Sequence, residues 1–109
     1  MKNVFLFSIL LLFAITNSCK KSSKGPAYVT PPAPSNLIVT ILSATQSKLT
    51  WTDNSNNEDG FKIERKTNSS SFTSIANVGA NITTYIDQGL VSNTTYSYRV
   101  VAFNSVGNS

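Results

Sequence analysis

The stretch TTYSYRVVAFN, residues 94–104, decides the fold of this chain. Every second residue along it is apolar or aromatic on the same side, and that side carries Tyr96, Tyr98, Val100 and Ala102. A period of two is typical of a β-strand with one buried face, because successive side chains of a strand point to opposite faces. The stretch therefore predicts a strand, the longest in the chain, that packs on an apolar core.

Five segments upstream predict five further strands, and the first three of them show the same alternation. They are Leu37–Ile41, Lys48–Thr52, Gly60–Lys66, Phe72–Val78 and Thr83–Asp87. Leu49 and Trp51 share one face of the second segment, and Phe61 and Ile63 share one face of the third. Short strands with turn signals about every 8–12 residues indicate a two-sheet sandwich.

The positive charge of the chain belongs to its N-terminal part. The formal net charge is +4, and 109 residues allow one small domain. Four lysines lie within the first 24 residues without an acid, whereas five bases and five acids follow from Ser35 onward and cancel. A neutral folded part excludes nucleic acid as the expected partner.

The first 18 residues predict a signal peptide. Lys2 gives a basic start, and residues 4–15 form an apolar run of twelve. Such a run is too short to cross the hydrocarbon layer of about 30 Å as a retained helix, but it fits the apolar core of a signal peptide. The protein is therefore expected to be exported.

Cys19 is the single cysteine of the chain and directly follows this run. The segment resembles a bacterial lipoprotein signal, which implies cleavage after Ser18, a lipid on Cys19 and a place in the cell envelope, at the outer membrane. Thr16 stands where that signal usually has leucine. Thr16 and Ser18 also suit an ordinary signal peptidase, which would give a secreted protein with an unmodified thiol.

Residues 19–34 predict a tether between the lipid and the domain. The segment carries three lysines and four prolines. Proline removes backbone donors and favours extended chain, so we expect a stalk that holds residues 35–109 away from the membrane.

The region from residue 33 to residue 109 resembles the fibronectin type III family. The matching segments are APSNL (33–37), LTW (49–51), GFKIER (60–65), Leu90 through Thr94 to Tyr96, YRVVAFN (98–104) and Gly107. The resemblance implies an all-β, immunoglobulin-like two-sheet sandwich. It also implies that the tyrosine-corner hydroxyl of Tyr96 returns to the backbone near Leu90. The expected core residues are Leu49, Trp51, Ile63, Leu90, Tyr96 and Val100.

The family has seven strands, and this sequence shows six. The missing seventh strand would leave the strand at residues 94–104 with an open edge. Two interpretations follow: the chain is a fragment of a longer protein, or a strand from a partner completes the sheet.

No constellation predicts catalysis or a cofactor. The chain has no histidine, which leaves its serines without an imidazole base. Asp53, Ser55 and Asn57 have the spacing of a calcium loop, but Glu58 stands where that loop needs glycine, so we expect neither a metal nor a catalytic residue.

Two surface features are expected to be structural. Glu64 and Arg99 lie on strands that are neighbours in the family, which predicts an outward ion pair. Asn68, Asn81 and Asn93 begin glycosylation-type triplets, and we interpret them as turn residues.

The sequence therefore predicts a non-catalytic, lipid-anchored module that binds a protein or polysaccharide partner or acts as a spacer. One alternative is the N-terminal part of a larger cell-surface enzyme, for example a polysaccharide hydrolase. Another is an adhesion or assembly protein that is completed by a partner strand.

Overall fold

A computed structural model describes residues 28–68 and 70–109. Its six strands are β1 (Ser35–Ser43), β2 (Gln46–Thr52), β3 (Gly60–Thr67), β4 (Thr73–Gly79), β5 (Thr84–Gln88) and β6 (Tyr96–Phe103). They form two three-stranded sheets in the orders β1-β2-β5 and β4-β3-β6, and every pairing is antiparallel. The predicted all-β fold is confirmed for the described residues.

The last strand is shorter than the sequence predicts. β6 has eight residues and β1 has nine, so the expectation that residues 94–104 form the longest strand was wrong. Asn104 ends β6 because its side-chain oxygen accepts hydrogen bonds from the N–H groups of Val106 (2.8 Å) and Gly107 (3.3 Å). These bonds turn the chain back instead of extending the strand.

The core lies between the two sheets. Its buried residues are Leu49, Trp51, Phe61, Ile63 and Ala102. The rings of Trp51 and Phe61 meet edge to face, with centroids 5.6 Å apart and an interplanar angle of 62°. This contact joins β2 of the first sheet to β3 of the second, because the alternation points one face of each strand inward.

The asparagines at the triplets occupy tight turns, as predicted. Asn68, Asn81 and Asn93 have φ values of 40°, 64° and 57°. Asparagine tolerates this left-handed region better than most residues other than glycine.

Among the described residues, no helix is long and apolar enough to cross a membrane.

Candidate functional site

Within the described residues, β6 is paired along one edge and largely unpaired along the other. On one side it pairs with β3 from Gly60↔Phe103 to Thr67↔Tyr96. On the other side the returning chain makes a single bridge, Phe103↔Asn108, and the N–H of Ser109 donates to the carbonyl of Ala102 at 2.8 Å. Within the described residues, the rest of this edge has no strand beside it.

An apolar groove of about 520 Å³ runs between β1 and this open edge. Val39, Ile41 and Val91 line it with 43%, 78% and 64% of their surface exposed. Tyr96 and Tyr98 line it from β6. A soluble domain seldom leaves several large apolar side chains exposed together unless the surface has a use.

Tyr96 fastens the loop that forms one end of the groove. The N–H of Val91 donates to the Tyr96 hydroxyl at 2.9 Å, one residue beyond the Leu90 position that the tyrosine corner implied. The N–H of Leu90 donates to the carbonyl of Thr45 at 3.1 Å. The two bonds hold the loop before β6 against β6 itself and against the β1–β2 turn.

A polar clamp joins the two sheets beside the groove; we use this name for Arg65, Asp87 and Tyr98. Arg65 of β3 donates from Nη1 to both carboxylate oxygens of Asp87 on β5, at 3.0 and 2.8 Å. The Tyr98 hydroxyl of β6 donates to Asp87 Oδ2 at 2.8 Å. Asp87 is only 4% exposed, so these bonds replace the water that its carboxylate has lost.

Sequence reasoning missed the polar clamp, although a signal was present. Arg65 follows Ile63 by two residues and Asp87 follows Tyr85 by two residues, and both Ile63 and Tyr85 contribute to the core. A strand places residues i and i+2 on one face. Opposite charges on two inward faces indicate a buried pair.

Two members of the polar clamp, Tyr98 and Arg65, have raised pKa values. Burial raises the pKa of Tyr98 well above its usual range, and the hydrogen bond to Asp87 raises it further. The hydrogen bond to Asp87 also raises the pKa of Arg65. The arrangement therefore keeps a neutral phenol and a charged guanidinium, which suits a structural link rather than proton transfer.

In the 53–59 loop, the carboxylates of Asp53 and Glu58 accept hydrogen bonds from other residues of the domain. Asp53 Oδ1 accepts hydrogen bonds from the N–H (2.9 Å) and hydroxyl (3.2 Å) of Ser55. Glu58 accepts from the Ser55 hydroxyl at 2.7 Å and from the Asn81 N–H at 3.1 Å. Burial raises the pKa of Glu58, but these hydrogen bonds and one from its own backbone outweigh it, so the pKa is lowered. In the described ranges, no three His, Cys, Asp or Glu side chains are grouped to hold a metal.

The outer face of the second sheet combines cations with aromatic rings. Glu64 and Arg99 are register partners and form the predicted ion pair through Arg99 Nε and Glu64 Oε1. Lys62 Nζ lies 5.4 Å from the centroid of the Phe103 ring. Lys66 Nζ lies 4.9 Å from the centroid of the Phe72 ring, and Arg99 Cζ lies 4.4 Å from the same centroid. We call Lys62, Lys66, Phe72, Arg99 and Phe103 the cationic face.

Residues 32–109 match the family model of the fibronectin type III domain. The chain belongs to the fibronectin type III family. Domains of this family are typically non-catalytic modules, and the two three-stranded sheets are those of such a sandwich. No curated protein matches the chain significantly.

Solved structures with similar folds include other fibronectin type III sandwiches, and each is aligned over 72% of this chain. Titin kinase and its flanking domains give a TM-score of 0.64 and 26% identity. A computer-redesigned β-sandwich protein gives 0.61 and 28%, and 80% of that chain is covered. The chicken CNTN1 FN1–FN3 domains give 0.65 and 22%, a likeness of fold alone. The match covers 15% of the titin chain and 29% of the chicken chain.

In this fibronectin type III domain the expected core residues fall into two groups. Leu49, Trp51, Ile63 and Leu90 are buried, and Phe61, which alternation placed on the same face as Ile63, is fully buried with them. Val100 and Tyr96 are half-buried, and Val100 packs against the core. The lipidation position, Cys19, and cleavage after Ser18 lie outside the described residues.

Proposed function

We propose that this chain is an exported, non-catalytic fibronectin type III module that is anchored by lipid at Cys19 and serves as a binding or spacer domain at the cell envelope. Residues 32–109 belong to the fibronectin type III family, and this observation supports the proposal that the domain is a non-catalytic module. The apolar run at residues 4–15 and the single cysteine behind it support the export and the anchor.

The C-terminal part of the proposed tether, from residue 28 onward, is described by the structure and is hydrogen-bonded to the domain. Asn57 and Asn104 each donate from Nδ2 to the carbonyl of Val29, at 3.0 and 2.9 Å. Asn54 donates from Nδ2 to the carbonyl of Ala33 at 3.0 Å. Residues 29–34 therefore belong with the domain, and the proposed stalk shortens to residues 19–28, which could span at most about 35 Å. The domain would stay within that distance of its lipid.

We predict that the full-length protein incorporates radiolabelled palmitate in a bacterial host and that Cys19→Ala abolishes the label. The reason is that lipid attachment at the start of the mature chain needs the Cys19 thiol. Labelled protein is measured after immunoprecipitation, with total protein as the control. Label retained by Cys19→Ala, or no label in the parent protein, would show that the anchor is wrong and would favour the secreted form.

Two similar structures support a longer chain, which the larger cell-surface enzyme requires. The similar domains of titin and of the chicken protein are parts of much longer chains. The reading frame beyond Ser109 distinguishes the two proposals: paired carboxylates or a metal motif encoded there favours the enzyme, and their absence favours the free-standing module.

The open edge of β6 supports a second role, acceptance of a strand from an adhesion or assembly partner. An added strand would hydrogen-bond to the exposed backbone of β6 and cover Val39 and Ile41 across the groove. The apolar groove beside the edge is the observation that favours this role.

A strand appended after Ser109, with apolar residues at alternate positions, should therefore raise the melting temperature by at least about 8 °C. Differential scanning calorimetry measures the change. The matched control carries proline at alternate positions of the same extension, because proline cannot donate to the ladder. Equal melting temperatures for the two extensions would contradict a strand-accepting edge.

A further inference from the structure

The cancelling charges of the domain are unevenly distributed. Of the five bases from Ser35 onward, Lys62, Lys66 and Arg99 lie together on the cationic face, and among the described residues one acid, Glu64, lies on the same strand face as these lysines. Three minus one leaves a local charge of +2. The other acids lie in the loop before β3 or, as Asp87, between the sheets. A neutral domain thus presents one basic surface.

The aromatic rings hold these cations in place. Phe72 lies beneath both Lys66 and Arg99, and Phe103 lies beneath Lys62. A cation over a ring is attracted by the negative ring face. Its side chain is therefore already partly ordered before any ligand arrives, which lowers the entropic cost of binding.

The spacing of the cations fits a chain of negative charges better than a single small anion. Lys62 and Lys66 lie four residues apart on the same face of β3, which separates their Cα atoms by about 13 Å. Arg99 lies between them, opposite Glu64. We propose that the cationic face binds a carboxylated polysaccharide. This inference deepens the proposed binding role and does not depend on the lipid anchor.

The same geometry disfavours two other polyanions, an anionic membrane surface and a single-stranded nucleic acid. Insertion into a membrane surface needs protruding apolar side chains, and the most exposed ones, such as Ile41 and Val91, lie on other elements. Stacking of nucleobases needs accessible ring faces, whereas cations occupy positions over Phe72 and Phe103. A carboxylated polymer needs only the outward charges.

Polygalacturonate is a suitable probe, and calorimetric titration or affinity electrophoresis at about 50 mM salt measures its binding. We expect Lys62→Gln and Lys66→Gln each to weaken binding about threefold to fivefold and the double variant at least about tenfold. The matched control is Lys48→Gln, which removes the same charge from β2 of the other sheet. It should change binding less than about twofold.

Three further measurements complete the test. Binding should fall steeply as salt is raised, because exposed charges are screened. Phe72→Leu, which keeps every charge but removes the ring, should weaken binding about twofold to threefold, and unchanged melting temperatures confirm that the variants are folded. No binding to polygalacturonate at low salt, or an equal loss in Lys48→Gln, overturns the proposal. Tighter binding to phosphatidylglycerol vesicles or to a single-stranded oligonucleotide also overturns it. Palmitate labelling of Cys19 is unaffected by any of these outcomes.

Discussion

Replacement of Arg65 by methionine should lower the free energy of unfolding by about 3–5 kcal/mol, since it removes one partner of a buried charge. Asp87 is 4% exposed, and it would lose two of the three hydrogen bonds that the polar clamp provides. The Arg65 side chain itself is 30% exposed. The loss of stability therefore comes mainly from the Asp87 carboxylate, which stays buried with fewer hydrogen bonds. Urea denaturation at pH 7 measures the change through the midpoint, with an unchanged slope.

The double variant Arg65→Met/Asp87→Leu supplies the control. It removes both charges and keeps apolar volume, so we expect it to recover at least half of the loss. Tyr98→Phe, which removes one hydroxyl donor to Asp87, should cost about 1 kcal/mol. If Arg65→Met costs less than about 1 kcal/mol, water must reach Asp87, and the polar clamp does not hold the sheets together.

The polar clamp marks the limit of prediction from this sequence. Alternation of apolar residues, together with turn signals, indicated six strands, and alternation indicated the inward faces of Leu49, Trp51, Phe61 and Ile63, because both are local properties of the sequence. Arg65 and Asp87 lie 22 positions apart on strands of different sheets. Their contact depends on how the sheets are stacked, which no local pattern specifies.

The cationic face was hidden for a related reason. The formal charges of residues 35–109 sum to zero, so the composition shows no basic surface. Only the pairing of β3 with β6 brings Arg99 close to the lysines of β3. The Glu64–Arg99 pair could be predicted because the family resemblance supplied the neighbouring strands. Phe72 could not be added to it, since its position beneath Arg99 depends on the β3–β4 register.

The boundary of the domain shows the same limit. The prolines of residues 19–34 indicated an extended tether, and composition does describe the preferred backbone conformation. It does not say where the backbone docks. The carbonyl of Val29 accepts hydrogen bonds from Asn57 and Asn104, which are 28 and 75 positions away, so the docked segment includes the end of that proline-rich stretch.

Gly60→Ala should lower the free energy of unfolding by about 3 kcal/mol, at the upper end of the cost of overpacking a tightly packed site. Gly60 begins β3, the central strand of its sheet, and pairs with Gly79 on one side and Phe103 on the other. A Cβ at this position would lie 2.2 Å from the carbonyl oxygen of Val78 and 3.1 Å from the Phe103 ring. The ring can move by a few tenths of an ångström, but the carbonyl belongs to the β3–β4 ladder and can move only if pairing is disturbed.

Gly79→Ala is the matched control, because among the described residues no heavy atom beyond its own chain neighbours lies within 4 Å of the added Cβ there. It should change stability by less than about 1 kcal/mol. Equal losses for the two variants would mean that the close approach of the Val78 carbonyl is not what requires glycine at position 60.

The Gly60 variant should also weaken binding of polygalacturonate, because displacement of the Phe103 ring removes the support beneath Lys62. A loss of stability without that loss of binding would separate the packing of the sheet from the order of the cationic face.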